Sequence, residues 1–385
     1  MKNILFFGIG DVGDAVMKTA VFRALRQHLP QALIHVILGS WNAELLRGNP
    51  YVDKIYSYNY PWGNLYYGLG KNWLHKIYFL FSSSLLRELR KHRFDAAICF
   101  SQLKMDRLLM SLLRAKAKIG YTGLWNDCFL THPVSSGGRI ITVIESTLLL
   151  LEPIGIHAEY CLPELQLNEQ DMDELAIFLG NKFDEQHNII VICPGAGGPA
   201  NKRWLPEYFA QVSDKLAEEN TVVLSGSSSE KRVIDEVKKH IKNKIVVNYG
   251  GLSLRGFCAL IARSNLVICN NAAPMHLAAA FGRPAVVLNG GFNDQGEALK
   301  WGYKVNNIVT ITADVGSRPS DYRHPVCERH TCMKEIKPDF VLREAQRLLN
   351  SSDKAVLIEQ VNSTVISTTM RCEAGEKINP LQHGN

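Results

Sequence analysis

The chain has 385 residues, more than one ordinary hydrophobic core supports, so two domains are the starting expectation. Hydrophobic residues make up 46% and charged residues 21%, the balance of a soluble globular protein. The net charge of +6 suits an anionic substrate or an anionic membrane surface, and no module joining aromatic and basic residues points to nucleic acid, so neither DNA nor RNA is an expected partner.

The nine cysteines form no CxxC pair. Cys327 and Cys332, near His324 and His330, fit no common zinc module, so no metal is expected and reduced thiols in a cytosolic compartment fit best. The apolar run Ile4–Phe7 is too short for a signal peptide, and Trp73–Phe81 is too short to span a bilayer.

Asn3–Phe7 reads as a buried strand, followed by the loop Gly8-Ile9-Gly10-Asp11-Val12-Gly13-Asp14. A helix is expected over Ala15–His28, with Val16, Ala20, Phe22, Leu25 and Leu29 inside, then a strand over Ala32–Leu38. This βαβ opening with GxGxxG raises a dinucleotide-binding fold. The second strand closes on Gly39, Ser40 and Trp41 without a carboxylate for a ribose, so no nicotinamide or flavin is expected. Asp14 is either a first-turn carboxylate favoured by the helix dipole or a general base, and the pattern by itself favours the former.

Tyr56–Tyr67 reads as a loop. Trp73–Arg90 is amphipathic, with Trp73, Leu74, Ile77, Tyr78, Phe81, Leu85 and Leu89 on one side. A core-facing role ranks above contact with a membrane surface, which Arg87, Arg90, Lys91 and Arg93 would assist. A strand at Asp95–Phe100 and helices at Lys104–Leu113 and Ile140–Leu151 follow. Composition shifts at Leu162–Asp173, which reads as the crossover between domains.

The second half repeats the alternation. Strands are expected at Asn188–Cys193, Thr221–Leu224 and Lys244–Asn248, and helices at Pro206–Glu219, Glu230–Ile241 and Leu254–Ser264. In Val267–Gly282 a strand (Asn265–Cys269) gives way to a tight turn and a helix over Met275–Phe281 opened by Pro274, with a strand at Ala285–Asn289 next. Such a turn leaves N–H groups at the sheet's carboxyl edge, where anions bind, and His276 lies in the first helical turn. A generic βαβ turn with a packed histidine is the plainer reading of this stretch taken alone. After Arg347 the chain turns polar, and Thr368–Asn385 is expected to be disordered. The expected domains are 1–165, 166–350 and a polar tail over 351–385.

Four segments in order resemble glycosyltransferase family 9, the lipopolysaccharide heptosyltransferases. They are Val12–Arg26 (VGDAVMKTAVFRALR), Pro194–Phe209 with PGA then Lys202-Arg203-Trp204-Leu205-Pro206-Glu207, Gly226–Glu230, and Asn270–Ala279 (NNAAPMHLAA). Cys332-Met333 through Ile336 and Pro338 is similar to the family's closing segment, and the likeness lies between residues 3 and 348. The resemblance implies an α/β fold of GT-B type, with two Rossmann-like doubly wound domains facing across a cleft, the first on the acceptor side and the second on the donor side. It implies inverting transfer without metal or cofactor. Heptose or a similar sugar would move from a nucleotide sugar, ADP-heptose in the typical case, to a lipopolysaccharide-core, lipid-linked or other cell-surface saccharide. The setting would be cytoplasmic, at the inner face of the cytoplasmic membrane, with peripheral membrane contact.

Carried over by position, Asp14 is the general base, and Gly10 and Gly13 belong to the acceptor-side loop. Lys202 holds the diphosphate and offsets leaving-group charge. Gly195 belongs to the donor site, and Glu230 holds the ribose. Asn271 meets sugar hydroxyls, Ala272 and Ala273 offer N–H groups to phosphate, and His276 contacts phosphate or sugar. The set is chemically coherent, because transfer needs a base on the acceptor and positive field on the departing diphosphate. Without a metal, a lysine and a helix N-terminus supply that field. One departure stands out: the family's Asp-Thr-Gly or Asp-Ser-Gly is here Asn271-Ala272-Ala273, which loses a charge and a hydroxyl. It keeps open a different nucleotide sugar, a protein acceptor, or a non-catalytic nucleotide-sugar-binding homologue.

Overall fold

The computed structural model describes residues 1–58, 83–101, 104–123, 127–135, 137, 141–180, 188–197, 202–290, 294–312 and 331–351. The chain divides into two compact units, Met1–Glu169 and Gln170–Asn385.

The first unit contains strands β1 (Asn3–Phe7), β2 (Leu33–Leu38), β3 (Lys54–Ser57), β4 (Phe94–Cys99), β5 (Ala115–Tyr121) and β6 (His132–Val134). They pair in parallel in the order β3-β2-β1-β4-β5-β6. The strands are apolar runs because both faces are covered, and Ile4, Leu5, Phe6 and Phe7 are fully buried. Among the described residues the unit also has helices α1 (Val12–His28), α2 (Ser84–Leu89), α3 (Lys104–Ser111) and α4 (Val143–Leu148).

Three expectations change here. Helix α1 is buried on nearly all sides: α4 packs against it, Lys18 lies over Phe100, and the segment Cys161–Glu164 is bonded to Ala20 and Thr19. There the Glu164 N–H donates to Thr19 Oγ1 at 2.9 Å. Tyr56 lies in edge strand β3, paired to β2, rather than in a loop. The helix expected over Ile140–Leu151 starts at Val143, capped by the Thr142–Glu145 box, and tightens to a 3₁₀ turn over Leu149–Ile154, where Pro153 removes a donor. Leu85 and Leu89 of α2 face the core, while Trp73–Phe81 lies outside the described residues.

The second unit has β7 (Ile189–Cys193), β8 (Thr221–Gly226), β9 (Val246–Tyr249), β10 (Leu266–Asn270), β11 (Ala285–Asn289) and β12 (Ile308–Thr312). They are parallel, in the order β12-β11-β10-β7-β8-β9. Its helices, among the described residues, are α5 (Glu169–Leu179), α6 (Pro206–Leu216), α7 (Lys231–Lys238), α8 (Leu254–Arg263), α9 (Ala273–Ala280), α10 (Asp294–Trp301), α11 (Thr331–Glu335) and α12 (Pro338–Asn350). Asp171 of α5 pairs with Arg255 of α8, both almost fully buried, and Glu174 accepts from Ser253 N and Oγ.

The helix expected over Glu230–Ile241 splits into a 3₁₀ turn, Ser228–Glu230, and α7. The chain stays helical past Arg347 to Asn350, because Val341, Ala345 and Leu348 give α12 an apolar face on the core. The tail 352–385 and the Cys327, His324 and His330 group lie outside the described residues.

Counted within each unit, both sheets have the same order, 3-2-1-4-5-6. Each therefore reverses direction once, between β1 and β4 and between β7 and β10. Ligands of open parallel sheets bind at the carboxyl ends of the strands beside that reversal.

Candidate functional site

In the second unit the reversal lies between Cys193 and Cys269, which are register partners. Beyond them the chain runs into Pro194-Gly195-Ala196 on one side and Asn270-Asn271-Ala272 on the other. Asn270 is fully buried. Its Nδ2 donates to Pro194 O at 2.8 Å and Gly195 O at 3.3 Å, and its Oδ1 accepts the Trp204 N–H at 2.9 Å. Trp204, 2% exposed, also donates its Nε1–H to Ile336 O at 2.9 Å. Lys202, two residues before this anchored tryptophan, is half-buried. Arg203 donates to Ala196 O from Nε at 3.4 Å and Nη2 at 3.3 Å.

Glu230 reaches the same loop. Its Oε2 accepts Ser227 N at 2.9 Å and Ser227 Oγ at 2.8 Å, a capping box. Its Oε1 lies 1.7 Å from where a Cβ on Gly195 would stand, so only glycine at 195 admits the carboxylate.

Helix α9 begins with Ala272 in the cap position, in extended geometry and without a side-chain cap, and Pro274 falls in its first two positions. The N-terminal half-charge of the helix dipole is thus unmet by any capping oxygen. Asn271 donates Nδ2 to Asn289 Oδ1 at 3.2 Å, and Asn289 donates to Thr312 Oγ1 at 3.4 Å. A row of polar groups therefore crosses the carboxyl ends of β10, β11 and β12. His276 is 5% exposed; its Nδ1 shares a 2.6 Å hydrogen bond with Tyr303 Oη, and Trp301 packs edge-on against the ring.

In the first unit, Gly10 to Asp14 fills the reversal between β1 and β4. Asp14 is the third residue of α1, and its Oδ2 accepts the N–H of the cap residue Asp11 at 3.1 Å. A Cβ on Gly10 would stand 2.4 Å from that oxygen. Buried Gly13 lies in the first turn of the same helix. Buried Asn42 donates Nδ2 to Gly10 O at 2.9 Å. Lys18, one turn after Asp14, is 5% exposed, with Nζ 5.1 Å from the Phe100 ring centroid. Burial lowers the Lys18 pKa, and the Asp14 charge opposes that shift. The Asp11 side chain touches solvent, but the loop packed around it raises its carboxyl pKa by desolvation, and the Asp14 charge adds to this.

On the other side of β4, Arg107 is fully buried beneath Gly120. Its Nη2 donates to Tyr121 O at 2.5 Å, while Nε and Nη1 have no partner among the described residues. A buried guanidinium with unused donors is suited to a carboxylate or a phosphate.

The candidate residues thus form two groups. Gly195, Lys202, Glu230, Asn271, Ala272, Ala273 and His276 sit on the loops and first helical turns at the carboxyl edge of the second sheet, and Gly10, Gly13 and Asp14 sit at that of the first. Among the described residues no three His, Cys, Asp or Glu side chains gather as a metal-binding cluster, and no helix is long and apolar enough to cross a membrane.

Residues 82–314 match glycosyltransferase family 9 (heptosyltransferase). The chain belongs to this family. It is 26% identical over 357 residues to lipopolysaccharide heptosyltransferase 3 of Escherichia coli K12, covering 88% of this chain and 95% of that protein. Two solved structures share the GT-B fold. A family 9 glycosyltransferase of Veillonella parvula has a TM-score of 0.77 at 20% identity, covering 90% of this chain and 97% of that one. The E. coli ADP-heptose lps heptosyltransferase II has 0.72 at 23% identity, covering 91% and 98%. This family 9 member is a glycosyltransferase.

Sequence reasoning missed Lys18, Asn42, Arg107, Asn270 as an anchor, and Tyr303. The sequence signals were the four-residue spacing of Lys18 from Asp14, though a lysine on a helix is ordinarily solvated, and the place of Asn270 at the head of the NNAAPMHLAA segment. Tyr303 meets His276 across 27 residues, where no spacing rule reaches.

Proposed function

We propose that this glycosyltransferase moves a heptose, with inversion and without a metal, from ADP-heptose to a lipopolysaccharide-core saccharide at the inner face of the cytoplasmic membrane. The observation that carries the reading is the second unit's reversal point. There the uncapped N-terminus of α9, Lys202 beside anchored Trp204, and Glu230 under Gly195 supply groups for phosphates and a ribose. The E. coli relatives, named as lipopolysaccharide and ADP-heptose enzymes, support the choice of sugar, nucleotide and acceptor.

In this mechanism Asp14 takes the proton from the acceptor hydroxyl as the sugar's anomeric carbon is attacked from the face opposite the diphosphate. Lys202 and the N–H groups of Ala272 and Ala273 receive the charge that develops on the departing diphosphate. Glu230 accepts from the ribose hydroxyls, Asn271 bonds to sugar hydroxyls, and His276 contacts phosphate or sugar.

Calorimetry and thermal shift with ADP, UDP, GDP and CMP, and their sugars, test the donor assignment. Preference for ADP species, lost in Lys202→Ala, is the expected result. Preference for another nucleotide, or no response, overturns the donor. A second reading, transfer of a different sugar, is favoured by Asn271-Ala272-Ala273, where Asn271 is tied to Asn289 as an uncharged amide. Turnover with ADP-heptose as the clearly preferred donor removes it.

A further inference from the structure

We infer that Asn270 is the positioning residue that sets the two donor loops in register, placing Lys202 against the loop that holds Glu230. A single planar amide does this. Its oxygen takes the Trp204 N–H, and its nitrogen gives to Pro194 O and Gly195 O, bonds that cross 66, 76 and 75 residues of chain.

Each partner belongs to a functional segment. Trp204 follows Lys202-Arg203, and Gly195 is the position whose missing Cβ admits Glu230 Oε1. The Arg203 bonds to Ala196 O brace the same two segments from the other side, and Ile336 O holds the far end of the Trp204 ring. Asn270 is fully buried, so it is placed to work through these segments rather than by touching substrate.

The position requires an acceptor and donors within one short, flat group. A carboxylate of the same shape still accepts from Trp204 but sets a second oxygen against two carbonyl oxygens. An alanine leaves three buried polar groups without a partner. The first unit supplies a contrast. Asn42 donates to Gly10 O, but its Oδ1 has no partner among the described residues, so it holds one loop where Asn270 couples two.

The inference rests on the reading of Lys202 as the diphosphate ligand, and two measurements separate the two ideas. The first is hydrogen exchange at the Trp204 amide without nucleotide. It should quicken by about tenfold or more in Asn270→Ala and stay slow in the isosteric Asn270→Asp, with β8 amides unchanged in both. The second is ADP affinity by calorimetry. Both Asn270 variants should weaken it by about tenfold in the otherwise native protein and by less than about twofold in the Lys202→Ala background. A Trp204 amide that stays protected in Asn270→Ala, or equal losses in the two backgrounds, overturns the inference. A Lys202→Ala protein that binds ADP as the wild type does overturns the role of Lys202 and leaves the exchange result to decide the coupling of the loops.

Discussion

Asp14 and Glu230 stand in equivalent local settings in the two units. Each is the third residue of a helical turn after a strand, each accepts the N–H of its cap residue, and each lies where the Cβ of a glycine would be. Their surroundings differ. Glu230 accepts a second bond from Ser227 Oγ, and the cation beside it in sequence, Lys231, is exposed. Asp14 has no hydroxyl in its cap, since that residue is Asp11, and it shares its helix with buried Lys18. The same backbone device thus stands beside an exposed lysine in one unit and a buried one in the other, and the proposed roles of Glu230 as ribose acceptor and Asp14 as base rest on that difference.

The sharpest break of this comparison comes from removing each charge while keeping its shape. Asp14→Asn retains an oxygen for the Asp11 N–H, so the helix start should survive. Turnover at saturating donor should nonetheless fall by about a hundredfold or more, with nucleotide affinity unchanged. Full turnover in that variant would make Asp14 a cap and nothing else.

A smaller effect is expected in the other unit. Glu230→Gln, and Gly195→Ala, whose Cβ would take the place of Oε1, should each weaken ADP binding by about tenfold. Both should also abolish the preference for ADP over 2′-deoxy-ADP. Calorimetry with the two nucleotides reads this directly, and a preference that persists would remove the ribose role.

The smallest effect concerns Lys18. Burial lowers its pKa in the folded state, so the protonated form opposes folding. That cost is fully present at pH values below the lowered pKa. It fades as pH rises from there towards the unfolded value of 10.5, above which both states are neutral. Lys18→Met should therefore raise Tm at neutral pH, by about 2–4 °C per kcal/mol recovered, and the gain should shrink towards pH 10.5. Lys231→Met, at an exposed site, should leave Tm unchanged.

Much of the fold was legible in the sequence because buried parallel strands are continuous apolar runs, and the loops between them carry glycine and proline. The errors are equally physical. The expected inner face of α1, Val16, Ala20, Phe22, Leu25 and Leu29, is only part of what is buried, Leu29 is only half-buried, and no periodicity announces that Glu164, 145 residues on, bonds to Thr19 on its outer side. The tight turn over Leu149–Ile154 follows from Pro153, whose missing donor was visible but whose consequence depends on packing. In the candidate site, the short-range part was readable: Gly10 and Asp14 lie four residues apart across the start of α1, and the start of α9 is written in Ala-Ala-Pro.

The sequence by itself determined the alternation of strands and helices, the two glycine loops and the motif set that places the chain in family 9. These depend on neighbours a few residues apart, where sterics and hydrogen-bond reach act directly. Only the tertiary structure decided that Gly195 makes room for Glu230 across 35 positions, that Asn270 ties Pro194 and Gly195 to Trp204, and that Lys18 is buried. Each of these depends on which strands become neighbours and how much water is expelled between them, and sheet order and desolvation are properties of the folded chain.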